Sequence, residues 1–252
     1  IDLSGESLFK RGWRTDKGEA PLKENMAAGL LKLSGWTPDM PLLDPFCGSG
    51  TIAIEAASIA CGLVPGISRS FGFEKLLNFD RELWTELRED AKSEVNLHRE
   101  VSITASDISS IVVRKAEANA LRAGLGGLLE SGNLKFSVCD ARNVLPPTEK
   151  PGIIVANPPY GEQSTPRSAT VGSMMRHVAD NLKHNFAGWT AWMLTSDRHL
   201  PGEMHLKEGR KTVLFNGPLE CRFFKFDLVA GSNRRVKKQD SASIETSSDT
   251  ES

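Results

Sequence analysis

Short apolar runs alternate with segments of helical character along most of this chain, and that alternation limits the fold more than any other feature. Leu42-Leu43 and residues 102–106, 134–138 and 153–156 read as strands. Ile153-Ile154-Val155-Ala156 is apolar throughout, as in a strand covered on both faces. Residues 49–60, 80–98 and 109–122 read as the intervening helices. In 80–98, Leu83, Leu87, Ala91 and Val95 recur at i+4 spacing, the stripe of an amphipathic helix. Residues 62–79 read as a loop with little regular structure. A helix over 170–186 and a fifth strand at 189–194 follow. Two last β runs, 211–215 and 221–228, flank the turn signal Asn216-Gly217-Pro218. This order predicts an α/β fold with a doubly wound, mostly parallel sheet of seven strands, closed by an antiparallel C-terminal hairpin at its edge.

The flanks differ from this middle. Residues 1–35 read as an extended segment and turn, a hairpin, followed by a helix over 21–34. Pro21 suits the first turn of that helix and Gly35 its end. Residues 36–229 form the predicted main domain. Residues 230–252, basic and then rich in Ser, Thr, Asp and Glu, bury too little apolar surface to fold and read as a disordered tail. The first residues, Ile1-Asp2-Leu3-Ser4-Gly5, look like the end of a strand without an initiator methionine. The chain is therefore expected to be a fragment, and the lack of a signal peptide says little about the full-length protein.

Composition excludes several classes. Hydrophobic residues make up 39% and charged residues 25%, the balance of an ordinary globular domain. No apolar run reaches the roughly 18 residues of a membrane span. Cys47, Cys61, Cys139 and Cys221 form no C-x-x-C pair and have no histidine cluster, so no structural zinc site is expected. Buried thiols in a reducing compartment, cytoplasmic or organellar, are the reading. A net charge of −1 lacks the basic excess of a self-sufficient nucleic-acid binder. Any such contact must come from a local patch or another domain. Lys10-Arg11-Gly12-Trp13-Arg14, with Lys17 nearby, is one patch. It suits a solvated hairpin as well as phosphate contact.

Two motifs carry chemistry. Asn157-Pro158-Pro159-Tyr160 follows the fourth strand. The prolines stiffen the turn and keep the Pro158 carbonyl out of regular structure. Asn157 adds a side-chain acceptor and Tyr160 a flat face, so the turn can hold a planar amine. The plainer alternative is a rigid turn with a packed tyrosine. The other motif is Leu42-Leu43-Asp44-Pro45-Phe46-Cys47-Gly48-Ser49-Gly50-Thr51, a strand, a glycine loop and a helix start. It lacks both the G-K-[ST] of a phosphate loop and the full dinucleotide fingerprint. Asp44 would repel a pyrophosphate and attract an ammonium group, so the loop suits an amino-acid-like cofactor end. Asp107 ends the second strand, where an acid accepts ribose hydroxyls. Asp140 follows the third, near where an adenine amine would lie. Either acid alone could be a helix cap. Asp44, Asp107, Asp140 and Asn157 together would line one edge of the sheet.

These motifs resemble class I S-adenosylmethionine-dependent methyltransferases acting on exocyclic base amines. Asp2-Leu3-Ser4-Gly5, Lys10-Arg11-Gly12-Trp13-Arg14, Glu19-Ala20-Pro21-Leu22-Lys23-Glu24-Asn25 and Asn216-Gly217-Pro218-Leu219 narrow the likeness to the THUMP-associated RNA guanine-N2 methyltransferases. Within these the chain looks most like the bacterial type that modifies large-subunit ribosomal RNA. The segment from Pro65-Gly66 to Trp84 fits the same branch. The resemblance covers about residues 1–229. It implies a Rossmann-like fold, S-adenosylmethionine as cofactor, and ribosomal RNA as partner. Asp44, Gly48, Ser49 and Gly50 would hold the methionine part. Asp107 would bind the ribose, and Asp140 with Ala141 the adenine. Pro21, Leu22 and Glu24 would close over the cofactor. Asn157 and Pro158 would accept from the guanine amine, with Tyr160 stacked on the base. The resemblance also implies an RNA-binding THUMP domain upstream, which this chain does not contain.

Other readings remain open at this point. The same four-residue turn serves adenine N6 in RNA or DNA, or guanine N2 in transfer RNA. A non-catalytic RNA-binding factor would be expected to have an eroded cofactor loop, and this loop is intact. A nicotinamide oxidoreductase conflicts with Asp44 and the missing fingerprint.

Overall fold

The computed structural model of the chain describes residues 2–15, 22–159 and 168–230. Pro21, Lys17, Tyr160 and the tail from residue 231 lie outside the described residues. One sheet of seven strands organises the rest: β1 (Leu42–Asp44), β2 (Ile103–Asp107), β3 (Leu134–Val138), β4 (Ile153–Ala156), β5 (Thr190–Thr195), β6 (Arg210–Asn216) and β7 (Leu219–Asp227). The helices are α1 (Glu24–Ser34), α2 (Thr51–Ala60), α3 (Arg81–Ser93), α4 (Ser110–Arg122), α5 (Gly126–Glu130), α6 (Ser168–Asn185) and α7 (Leu200–Glu203). The short α5 and α7 lack the length for a periodic signal and were not expected from the sequence.

The strand order is β3-β2-β1-β4-β5-β7-β6. The first five strands run parallel, as the βαβ pattern predicts. β7 runs antiparallel to both β5 and β6. The antiparallel strand is therefore internal, and the edge strand β6 points the same way as β5. The hairpin closes the sheet at its edge, as expected, and burial explains which of its two strands lies inside. Cys221, Phe223, Phe224 and Phe226 on β7 are buried, whereas Val213 and Phe215 on β6 are exposed. The more apolar partner of the hairpin takes the covered position.

Successive strand residues feed two apolar layers. Leu42, Ile103, Ile153, Val155, Trp192 and Phe223 pack with α1 and α2 on one face. Leu43, Ile154, Ala156, Met193, Phe224 and Phe226 pack with α6 on the other. β4 is buried along its whole length, which explains its unbroken apolar run. Gly35 ends α1 in the left-handed conformation (φ 77°) that its sequence position suggested.

Two expectations need correction. Helix α3 stops at Ser93, and the predicted Leu83/Leu87 stripe is exposed. The half-buried line is instead Trp84, Arg88 and Ala91, continued by Val95 just beyond the helix. The cause lies in the preceding segment, which is less featureless than predicted. A 3-10 turn at Gly72–Lys75 gathers Phe71, Phe73 and Phe79, and Trp84 packs edge-on against Phe71 and Phe73. Turning the helix by one residue, about 100°, exchanges leucine for the larger indole. The N-terminal hairpin is also replaced. Residues 2–15 hold bends and turns without a strand. Trp13 anchors this arm in the core, and the Arg122 Nε donates to its carbonyl at 2.9 Å.

Candidate active site

The reversal of strand order falls between β1 and β4, where α/β folds bind ligands beyond the carboxyl ends of their strands. Register aligns Leu43 with Ile154 and Asp44 with Ala105. Asp107 and Asn157 therefore lie about two residues, roughly 7 Å, further along than Asp44 on the two flanking strands. The sheet brings all three to one edge, as predicted.

Asp44 is 1% exposed. Its Oδ1 accepts from the Phe46 amide at 3.1 Å, while Oδ2 is buried without a partner. Burial pushes its pKa up to about 8; the Phe46 hydrogen bond opposes that, and the Asp107 charge adds to it. An unpaired buried carboxylate oxygen is costly and asks for a cation or donor. An ammonium group fits this donor set, and a phosphate does not. At the end of β4 the Asn157 Oδ1 is likewise buried and unpaired, beside buried Pro158. Ser106 Oγ on β2 is a third such atom. Its neighbours mark Ser106 only as a strand residue, so the sequence offered no signal for it.

The glycine loop is held from both sides. The Cys47 amide donates to the Ser106 carbonyl at 2.9 Å, and the Gly48 amide to Asp107 Oδ2 at 3.2 Å. Asp107 Oδ1 accepts from the Ser109 amide at 3.0 Å, and Ser109, not Asp107, caps α4. Both Asp107 oxygens keep further lone pairs for hydroxyl donors. Gly48 (φ 51°) faces open space, so a ligand can approach its backbone. Gly50 (φ 85°) is packed instead: a Cβ there would lie 3.0 Å from the Ala116 Cβ. The Cys47 thiol is buried, and its pKa is raised by burial and by the charges of Asp44 and Asp107. It therefore has no thiolate to offer as a nucleophile.

Leu22 and Glu24 reach this loop through Arg14, which sequence reasoning left in a surface patch. The Arg14 guanidinium donates to Glu24 at 2.9 Å, Ser49 Oγ at 2.8 Å, Thr51 Oγ1 at 2.7 Å and the Leu22 carbonyl at 3.2 Å. A cation at the positive end of α2 is unfavourable alone. Glu24, 4% exposed, compensates it. Beside it, Arg11 bonds both carboxylate oxygens of Glu55 at 3.2 Å. Asn119 Nδ2 holds the Ser49 carbonyl at 2.9 Å. Partners tens of residues apart leave no local sequence signal, so Arg14, Asn119 and Thr51 were missed.

Asp140 lies two residues beyond β3 with buried Ala141 beside it. The Arg142 guanidinium covers Asp140 with two bonds of 3.0 Å, and this holds its carboxyl below the usual range. Any amine donor that reaches Asp140 must share it with Arg142. Among the described residues, no group of three or more acidic, histidine or cysteine side chains is arranged to hold a metal ion, and no helix is long and apolar enough to cross a membrane.

Comparisons with known proteins agree with this geometry. The family UPF0020, RMKL-like, methyltransferase domain, matches residues 11–225. The "Ribosomal RNA large subunit methyltransferase K/L" of Shewanella baltica (strain OS155 / ATCC BAA-1091) is 43% identical over 93% of this chain. The chain spans about a third, 33%, of that relative's length. The crystal structure of SMU.472, solved with SAH bound, superposes with a TM-score of 0.81 at 34% identity, covering 93% of this chain and 59% of that one. A Listeria monocytogenes str. 4b F2365 protein, titled a predicted N6-adenine-specific DNA methylase, gives 0.79 at 34% identity over 90% of this chain and 56% of that one. The strand order, the cofactor-type glycine loop and the family match over most of its length establish that this chain belongs to the UPF0020 family of RMKL-like methyltransferase domains.

Proposed function

We propose that this chain is an S-adenosylmethionine-dependent methyltransferase domain that methylates the exocyclic N2 of a guanosine in large-subunit ribosomal RNA. The observation that carries the reading is a pair of buried, unpaired acceptors, Asp44 Oδ2 and Asn157 Oδ1, at the ends of adjacent strands. One suits an ammonium group and the other a base amine.

When bound, the cofactor supplies a methyl group on a sulfonium, an already activated leaving group. Asp44 accepts from its ammonium, and Gly48, Ser49 and Gly50 let the backbone come close. Asp107 accepts from the ribose hydroxyls. Asp140 and Ala141 border the adenine, and Arg142 shares the Asp140 carboxylate. Leu22 and Glu24 close this side through Arg14, and Pro21 is inferred to share that role. The protein mainly orients the reactants. Guanine N2 is a weak nucleophile because its lone pair is delocalised into the ring. Asn157 Oδ1 and the Pro158 carbonyl accept its two N–H groups, favour a pyramidal nitrogen and stabilise the charge developing there. The turn's described residues include no strong base, so the amine proton would be released to solvent after transfer. Tyr160 stacks on the base. A paired guanine must first leave its helix.

The acceptor pair serves adenine N6 equally well, and the name of the Listeria structure favours that second reading. Incubating ribosomal RNA with methyl-labelled cofactor, followed by nucleoside analysis, separates the two. Label is expected in N2-methylguanosine; label in N6-methyladenosine would reject the guanine assignment. The same reading extends to the longer protein. It carries an RNA-binding THUMP module upstream and acts in a reducing compartment, cytoplasmic or organellar. We also infer that residues 36–229 form the catalytic domain and that residues 1–35 lead into it.

A further inference from the structure

Three segments of this chain have no part in the methyl-transfer chemistry, yet they meet around one cavity of about 900 Å³. They are the arm around Lys10, the loop from Pro65 to Ser70, and the β6–β7 turn at Asn216-Gly217-Pro218. The cavity belongs to the reacting edge of the sheet. β6 points the same way as β5, so its last residue, Asn216, lies at the carboxyl edge that also carries Asn157. Arg14 and Glu24 form part of the cavity wall and also hold the glycine loop through Ser49. The volume suits a ligand of drug or nucleotide size.

The lining offers a ring and positive charge together. Phe9 is half-buried, with the exposed Lys23 Nζ 5.0 Å above its ring. Arg69 donates to the backbone carbonyls of Ser4, Glu6 and Ser7 and lies over the Phe71 ring, and its Nε is buried without an acceptor. Among the described residues Lys10 pairs with exposed Glu6 at 3.2 Å, a bond that a phosphate can displace. Arg11 and Arg14, by contrast, are neutralised by Glu55 and Glu24.

We propose that this cavity grips a single-stranded RNA nucleotide flanking the target base, with its base against Phe9 and Pro218 and its phosphate on Lys10 and Lys23. The inference rests on the RNA methyltransferase reading above. Aromatic stacking with nearby cations binds unpaired nucleotides without requiring base-specific hydrogen bonds. A locally charged groove also reconciles RNA contact with a net charge of −1.

The test compares the parent chain with Phe9→Ala and with the double variant Lys10→Glu, Lys23→Glu. Affinity for a single-stranded ribosomal RNA fragment is measured across salt concentrations, and S-adenosylhomocysteine affinity by calorimetry. Phe9→Ala is expected to weaken RNA binding about 10-fold. The double variant should weaken it more and lower the salt slope by about 1 to 2 units. Cofactor affinity should stay unchanged, which also reports an intact fold. Unchanged RNA affinity and salt slope in both variants would overturn the proposal. So would unchanged RNA affinity with lost binding to the upstream part of the longer protein, because the cavity would then be a protein interface. RNA affinity that depends on these residues without N2-methylguanosine formation would reject the methylation reading and leave the cavity assignment standing. Normal RNA binding and methylation in both variants would do the reverse.

Discussion

Asn157→Ala is expected to slow single-turnover methyl transfer by about 100-fold or more while S-adenosylhomocysteine affinity stays within about twofold. Asn157 Oδ1 is buried and unpaired, so its desolvation cost is already borne by the fold and its lone pairs are available to the amine. Removing it takes away one of two acceptors for charge that develops only in the transition state. That predicts a loss in turnover with little loss in cofactor binding. Pro158 is buried and its carbonyl remains, so residual activity should persist. Asn157→Asp keeps an acceptor and should retain more activity than the alanine variant. Full turnover in Asn157→Ala would remove the role assigned here.

Asp44→Asn is expected to separate stability from binding. In the cofactor-free protein burial holds the Asp44 pKa at about 8, against an ordinary value of 3.8. Between those values the folded state binds more protons than the unfolded state. Stability therefore falls as pH rises from about 4 to about 8, because the unfolded chain acquires a carboxylate charge that the dry folded site rejects. Asparagine never acquires that charge. The variant should melt higher than the parent at pH 8 and close to it below pH 4. Its affinity for S-adenosylhomocysteine should nevertheless fall roughly 100-fold, because a buried ammonium would lack its anion. In the parent at pH 7, ligand binding should release most of one proton as Asp44 ionises against the ammonium. Calorimetry in buffers of different ionisation enthalpy reads that proton directly. Binding without proton release, with unchanged affinity in Asp44→Asn, would show that Asp44 does not hold the ammonium.

Much of this site is local in sequence and was legible there. Asp44 and Asn157 each follow an apolar run and Asp107 ends a short β run, so finding the strands also found the acids and the amide. Gly48 and Gly50 follow β1 directly. What escaped was set by packing between distant segments. Arg14 reaches Ser49 across 35 residues, and no periodicity encodes that contact. Arg142 covers Asp140 although the two are neighbours, because a nearby arginine is as often solvated as paired. The exposed face of α3 was misread because leucine spacing was weighed without the aromatic cluster that captures Trp84. The internal position of β7 follows from its three buried phenylalanines compared with the exposed face of β6. Hairpin order alone does not decide which strand takes the inside.

The account turns on two orphaned acceptors marking a methyl-donor site and an adjacent amine site. A crystal structure with S-adenosylhomocysteine bound tests it most directly. The account predicts the ligand ammonium within hydrogen-bonding distance of Asp44 Oδ2, the ribose hydroxyls on Asp107, and the sulfur beside the Asn157-Pro158 turn. A ligand seated elsewhere, with Asp44 Oδ2 still unpaired, would contradict it.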